Sequence, residues 1–77
     1  MKRITQSEFD EIVELHRMML YGEEGGVRAD FSDSDLNGAD LTEVDLSGAD
    51  FSGADLHSTD FTDANVDGAI FSHKQLS

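Results

Sequence analysis

The carboxylates are the residues of this chain whose number and spacing could support chemistry. The 77 residues include 17 Asp and Glu against 5 Lys and Arg, for a formal net charge of −12. Eleven of these acids lie in the stretch 29–73, which contains no Lys or Arg. Carboxylates at this density could bind a cation, transfer protons in catalysis or present a negative surface to a basic partner.

The strongest cation-binding signal runs from Asp33 to Gly38, where D-S-D-L-N-G imitates the first half of an EF-hand loop. Such a loop needs a glutamate at its twelfth position, which is Val44 here, and an apolar residue at its eighth, which is Asp40. The sequence therefore predicts no calcium site. With no cysteine and three scattered histidines, it also predicts no other metal and no cofactor.

Catalytic patterns are weak as well. The serines lie in no nucleophile-elbow pattern, and the dispersed glycines form no phosphate-binding loop. His16 lies in an apolar stripe, where a hydrogen-bonded interface residue is expected, whereas His57 and His73 are expected to be solvated. The sequence predicts that the chain is not an enzyme.

The acids follow a five-residue repeat, and in register the stretch 29–73 is ADFSD, SDLNG, ADLTE, VDLSG, ADFSG, ADLHS, TDFTD, ANVDG, AIFSH. The third position is always Leu, Phe or Val. The second is Asp in seven blocks, then Asn65 and Ile70. On a helix these third positions would spiral around the axis, and in a strand they would alternate between faces. They share one interior only if the chain turns a corner in every block, and four corners close a coil of 20 residues.

The spacing of the aromatic residues independently supports that coil. Phe31, Phe51 and Phe71 lie 20 residues apart and are expected to stack on one another. Glycine recurs at the fifth position of the blocks, where a corner can require a positive φ.

These blocks resemble the pentapeptide-repeat family, whose pattern is A(D/N)LXX. The resemblance covers 45 of the 77 residues. It implies a mainly β fold, a right-handed quadrilateral β-helix of about two coils. Family members that are understood include DNA mimics that protect or inhibit DNA gyrase, and some very small phage-encoded inhibitors of CRISPR effector complexes are similar in size and acidity.

The N-terminal part lacks the repeat. We assign 1–28 to an N-terminal helix with a Gly-rich connector and 29–77 to the repeats. Thr5 and Glu8 fit a capping box, and Gly22 is a plausible stop, which predicts a helix over about residues 6–21. Its apolar stripe is expected to cap the N-terminal end of the coil; the alternative is a docking helix for a protein partner. The three residues before Ile4 are expected to fray.

The chain contains neither an 18-residue apolar run nor a signal-peptide pattern. We therefore expect a single domain in the cytoplasm, which would be the host bacterial cytoplasm if a phage encodes it, and no membrane association.

On a four-sided coil the Asp side chains point outward and stack in ladders. Two carboxylates at that spacing repel each other by about 1 kcal/mol in water, so the ladders are expected to destabilise the fold. One interpretation is a solvated face that follows the family pattern. The other is a surface that mimics DNA phosphates, since Asn65 shows that Asn would serve the fold equally. The predicted partner-binding surface comprises Asp35, Asp40, Glu43, Asp55, Asp60 and Asp63.

The favoured function is an acidic DNA mimic that occupies the DNA-binding site of a basic protein complex and binds no nucleic acid itself. About 2.25 coils at about 4.8 Å per rung span roughly three base pairs, which suits a complex that reads a short duplex element such as a PAM. A phage anti-CRISPR protein is therefore favoured, with a gyrase-directed mimic or a structural interaction module as the alternatives. Ile70 and Leu76 form an apolar C-terminal end, and they are the candidate contact of a homodimer.

Overall fold

The computed structural model describes residues 1–72. It contains one α-helix, α1 (Gln6–Leu20), and two short parallel strands, β1 (Lys2–Arg3) and β2 (Ser34–Asp35). From residue 29 onward, turns alternate with single bridging residues. The regular structure is therefore mostly local turns joined by ladder hydrogen bonds between successive windings of the chain.

Parallel bridges join residues that lie 20 apart, as the register of the repeats predicts. They form four ladders, which we number in chain order. Ladder 1 comprises Asp30, Asp50 and Ile70; ladder 2, Asp35 and Asp55; ladder 3, Asp40 and Asp60; and ladder 4, Asp45 and Asn65.

Each block ends in a tight turn. The N–H of Ala39 donates to the carbonyl of Leu36 (2.9 Å), and the same bond recurs along the repeats. The fifth residue has a positive φ in every block from the first to the eighth, including four residues that are not glycine: Asp33, Glu43, Ser58 and Asp63. The expected left-handed corner is thus present even where the sequence offers no glycine.

The third positions form the core. The rings of Phe31 and Phe51 stack with their centroids 5.3 Å apart, and Phe51 and Phe71 stack at 5.2 Å, as the 20-residue spacing predicts. Phe61 meets Phe51 edge-on at 5.8 Å. Phe31, Phe51, Leu41 and Leu46 are fully buried, so the interior is filled with apolar side chains.

Helix α1 closes the N-terminal end of this column. Thr5 is its N-cap, and the predicted capping box is present, because Thr5 Oγ1 accepts from the Glu8 N–H while Glu8 Oε1 accepts from the Thr5 N–H (both 3.1 Å). The Phe9 ring stacks on Phe31 at 5.5 Å. The connector then runs tightly along the helix: a Cβ at Gly26 would overlap the backbone of Met19.

His16 joins the helix to the coil as a hydrogen-bonded interface residue, as predicted. Its side chain is fully buried. The N–H of Ala29 lies 2.8 Å from Nδ1, so Nδ1 accepts, and Nε2 then carries the proton and donates to the carbonyl of Ser47 (2.8 Å). The neutral ring thus satisfies two backbone groups at the edge of the first winding.

The expectation that the first residues fray is wrong. β1 pairs with β2, with Lys2 opposite Ser34 and Arg3 opposite Asp35. The ladder hydrogen bonds between β1 and β2 offset the conformational entropy that a chain end loses when it is ordered. Ile4, which follows β1, packs against the core. The N-terminus therefore adds one rung above ladder 2.

Candidate acidic interface

The Asp at the second position of each block caps its own turn. Asp40 Oδ1 accepts from the backbone N–H of Thr42 (3.0 Å) and from its hydroxyl (2.6 Å). Equivalent bonds to the residue two positions later occur throughout the repeats. Asn65 makes the same bond to the Asp67 N–H (3.0 Å), so an amide oxygen can replace the carboxylate.

These bonds also favour the ionised form of the ladder carboxyl groups. The Thr62 hydroxyl, followed by its backbone N–H, lowers the pKa of Asp60, while the nearby Asp40 carboxylate raises that pKa by less. The pKa values of Asp30, Asp40, Asp50 and Asp55 are lowered by the same kind of donors. The predicted repulsion between rungs is present, because Asp50 raises the pKa of Asp30 and Asp40 raises that of Asp60, but the donors within each turn lower these pKa values by more.

The six acids that the sequence singled out lie on two adjacent ladders and the corner that follows. Asp35 and Asp55 bridge each other and are half-buried, whereas Asp40 and Asp60 bridge each other and are exposed. At the corner after ladder 3, the N–H of Glu43 donates to the Thr62 carbonyl (3.0 Å), which brings Glu43 near the exposed Asp63 of the next winding. The coil thus brings all six onto two neighbouring ladders and the corner between ladders 3 and 4.

In the described part of the chain, basic groups lie close to the carboxylates of ladders 1 and 2 but not to those of ladder 3. Arg3 lies 3.5 Å from Asp35 on ladder 2, and the His57 ring lies 2.7 Å from Asp55. Arg28 donates to the Gly48 carbonyl (2.6 Å) and lowers the pKa values of Asp30 and Asp50 on ladder 1. Among residues 1–72, no ion pair involves the four acids we call the ladder 3 face: Asp40, Glu43, Asp60 and Asp63.

The sequence did not predict that Arg3, Arg28 and His57 lie beside the acidic ladders. The helix interrupts the repeat phase between Arg3 and Asp35, so periodicity could not place this arginine on ladder 2. Arg28 offered a signal, because it precedes Gly48 by one 20-residue winding. His57 was expected to be merely solvated, yet its backbone and ring both bind Asp55.

No group of three or more His, Asp or Glu side chains within residues 1–72 is placed to hold a metal ion. Over the same residues, the helix is too short and too polar to cross a bilayer. The carboxylates that the structure brings together therefore form a surface array.

A family model for pentapeptide repeats matches residues 34–73 with eight copies of the repeat. The chain belongs to the pentapeptide-repeat family. Membership implies a β-helix type of fold, in agreement with the 20-residue ladders. Proteins of this family are generally structural or interaction modules. No curated protein and no solved structure matches the chain.

Proposed function

We propose that this pentapeptide-repeat protein is an acidic DNA mimic that occupies the DNA-binding site of a basic nucleic-acid-binding complex. The favoured target is a CRISPR effector complex, which would make the protein a phage anti-CRISPR inhibitor acting in the host bacterial cytoplasm. In this role it needs no cofactor, catalyses no reaction and contacts neither nucleic acid nor membrane itself.

The proposed scaffold is a right-handed, four-sided β-helix of about two coils with α1 as its cap. Support comes from the four ladders with a 20-residue period and from the stacked Phe column. On such a scaffold each ladder occupies one side, and the ladder 3 face forms a flat acidic strip that includes the following corner.

The observation that carries the proposal concerns Glu43 and Asp63. Both have a left-handed backbone, with φ of 63° and 59°. That conformation costs most residues with a Cβ roughly 1–2 kcal/mol, although Asp tolerates it better than Glu, and glycine avoids the cost. Neither side chain makes a hydrogen bond or ion pair within residues 1–72, so no described contact accounts for either carboxylate. Their charge is what distinguishes them from the glycines at equivalent corners.

The ladder Asp residues support DNA mimicry less strongly than the corner acids do. Each of them caps a turn, so the fold alone accounts for Asp at the second position. This observation favours the second candidate function, a structural interaction module whose acidic side is simply solvated. The corner acids therefore separate the two candidates better than the ladder acids do.

Size favours a partner that reads a short duplex. About 2.25 coils at about 4.8 Å per rung give roughly 11 Å, equivalent to about three base pairs. A CRISPR effector reads a PAM of similar length in a basic groove. A gyrase-directed mimic, the alternative DNA-mimicking role, would need a longer acidic surface, such as a dimer could supply.

The decisive experiment compares two corner substitutions. Asp63→Asn removes a charge from the ladder 3 face, and Asp33→Asn removes one from the corner between ladders 1 and 2, at a φ of 54°. Asn tolerates the left-handed conformation, so both variants should fold as the wild type does. We expect Asp63→Asn, combined with Glu43→Gln, to weaken inhibition of target-DNA binding several-fold and Asp33→Asn to change it little.

The readout is competition between the protein and a PAM duplex for a purified CRISPR effector, measured at several salt concentrations. DNA mimicry requires binding to weaken steeply with salt. A parallel gyrase supercoiling assay distinguishes the two mimicry targets. If the ladder 3 variant inhibits as well as Asp33→Asn and salt has no effect, the acidic side is only a solvated face.

Dimerisation is a further part of the proposal. Ile70 takes the Asp position at the end of ladder 1 and is 45% exposed, next to Phe71 at 43%; Leu76, the other predicted contact, lies outside the described residues. We expect a homodimer joined at this end and a monomer for Ile70→Asp, measured by light scattering. Val27→Asp is the control, because Val27 is exposed beside α1 instead. A wild-type protein that is monomeric at high micromolar concentration would refute the contact.

A further inference from the structure

The first winding of the coil has an upper edge that faces the N-terminal end. Within ladder 3, the Asp60 N–H donates upward to the Ala39 carbonyl (2.9 Å), and the Asp60 carbonyl accepts from the Leu41 N–H (2.8 Å). By the same geometry, the backbone of Asp40 directs its N–H and carbonyl away from Asp60 and towards α1. No hydrogen bond satisfies either group within residues 1–72.

Ladder 2 shows how such an edge is filled. There β1 lies on the edge, and the Ile4 N–H donates to the Asp35 carbonyl (3.5 Å). Arg3 stands opposite Asp35, pairs with its carboxylate and donates to the Asn37 carbonyl (3.2 Å). Ile4, the next residue, turns inward and packs on the core. An occupant of this edge thus combines a basic residue opposite the Asp with an aliphatic residue immediately after it.

Above ladder 3 the corresponding space is an open groove of about 410 Å³. Its apolar lining comes from Ile4, Phe9, Leu36 and Ala39, and its polar lining includes Asp40 and Arg3, whose guanidinium already pairs with Asp35. The groove is continuous with the interface that β1 already makes. It therefore offers an inward position for an apolar side chain and an acidic rim for a basic one.

We propose that the upper edge of ladder 3 binds an extended peptide by strand addition, continuing the rung that β1 begins. In this mode main-chain hydrogen bonds provide affinity and alternate side chains provide selectivity. The Asp40 N–H donates to the carbonyl of one peptide residue. A basic residue stands opposite Asp40, and the following aliphatic residue donates its N–H to the Asp40 carbonyl and fills the groove.

The partner is therefore a protein with an accessible extended segment in which a basic residue is followed by an aliphatic one. Charge complementarity supports the basic residue, because Asp40 and the neighbouring Glu43 lack a basic partner among the described residues. The inference does not depend on DNA mimicry, since it rests on backbone groups and a groove at the end of the coil.

The test titrates the isotope-labelled full chain with the peptide acetyl-Ser-Ala-Arg-Ile-Ser-amide and follows its backbone amides by NMR. We expect a saturable shift of the Asp40 amide and slower hydrogen exchange there. The Asp60 amide is the internal control, because it is already bonded to Ala39. A peptide N-methylated at its isoleucine keeps every charge but loses one ladder donor, and it should bind roughly five- to ten-fold more weakly.

Three results would overturn the proposal. Equal affinity of the two peptides would mean that only charge attracts them to the acidic surface. A titration that leaves the Asp40 amide unmoved would exclude this edge. Shifts confined to Arg3 and Asp35 would mean that the peptide displaces β1 from ladder 2 instead of extending the rung.

Discussion

Replacing Phe51 with alanine should unfold most of the protein at room temperature. The Phe51 ring is fully buried and contacts three other rings, stacking between Phe31 and Phe71 and meeting Phe61 edge-on. Truncation of a buried Phe costs about 3–5 kcal/mol through lost burial and the cavity left behind. A domain of this size has only a few kcal/mol of stability, because folding buries only about 60% of the surface that its unfolded chain exposes.

Phe71→Ala is the matched control. Phe71 belongs to the same stacked column but lies at its end and is 43% exposed. Its truncation leaves no enclosed cavity and should lower the free energy of unfolding by far less. Urea denaturation followed by circular dichroism measures both variants. Equal losses for Phe51→Ala and Phe71→Ala would show that stability does not come from a column centred on Phe51.

The core and the helix were predictable because each follows from a local rule. A period of five with an apolar third position requires a corner in every block, and the spacing of Phe31, Phe51 and Phe71 set the length of a winding. The Thr5 and Glu8 pair located the start of α1 to the residue. These signals depend on neighbouring residues or on a constant spacing along the chain, and both can be recognised in a single sequence.

The features that the sequence did not predict depend on contacts between residues that the repeat does not relate to each other. Arg3 reaches Asp35 only because α1 folds back over the coil, and no periodicity links the two. The sequence also suggested that the Asp ladders destabilise the fold, because rung spacing is visible in a sequence and the donors to each carboxylate are not. The repeat phase placed the six acids of the predicted surface on two adjacent ladders and the corner that follows. It could not show that, among the described residues, basic groups lie beside ladder 2 and not beside the ladder 3 face.

Acid should destabilise the protein progressively. Donors lower the pKa values of five ladder carboxyl groups below the ordinary value of 3.8, and the Lys2 side chain, followed by Thr5, lowers the pKa of Glu8 in the helix cap to about 2. A group whose pKa falls on folding stabilises the folded state above its unfolded pKa, and that contribution is lost as the pH falls through its folded pKa. The urea midpoint should therefore fall progressively as the pH drops below about 4, and the contribution of Glu8 should be lost last, near its folded pKa of about 2.

The double variant Asp40→Asn, Asp60→Asn tests the cause. Asn65 shows that an amide oxygen still caps the turn, so the variant keeps the hydrogen bond to the Thr42 and Thr62 N–H groups and loses only charge. Because hydrogen bonds favour the ionised carboxylates more than their mutual repulsion opposes them, the variant should be less stable than the wild type near neutral pH. The two proteins should converge in stability as the pH falls through the lowered pKa values of Asp40 and Asp60, where the wild-type carboxyl groups take up protons. A variant that is more stable than the wild type at neutral pH would show instead that repulsion between the rungs dominates. The charged carboxylates would then lower the free energy of unfolding.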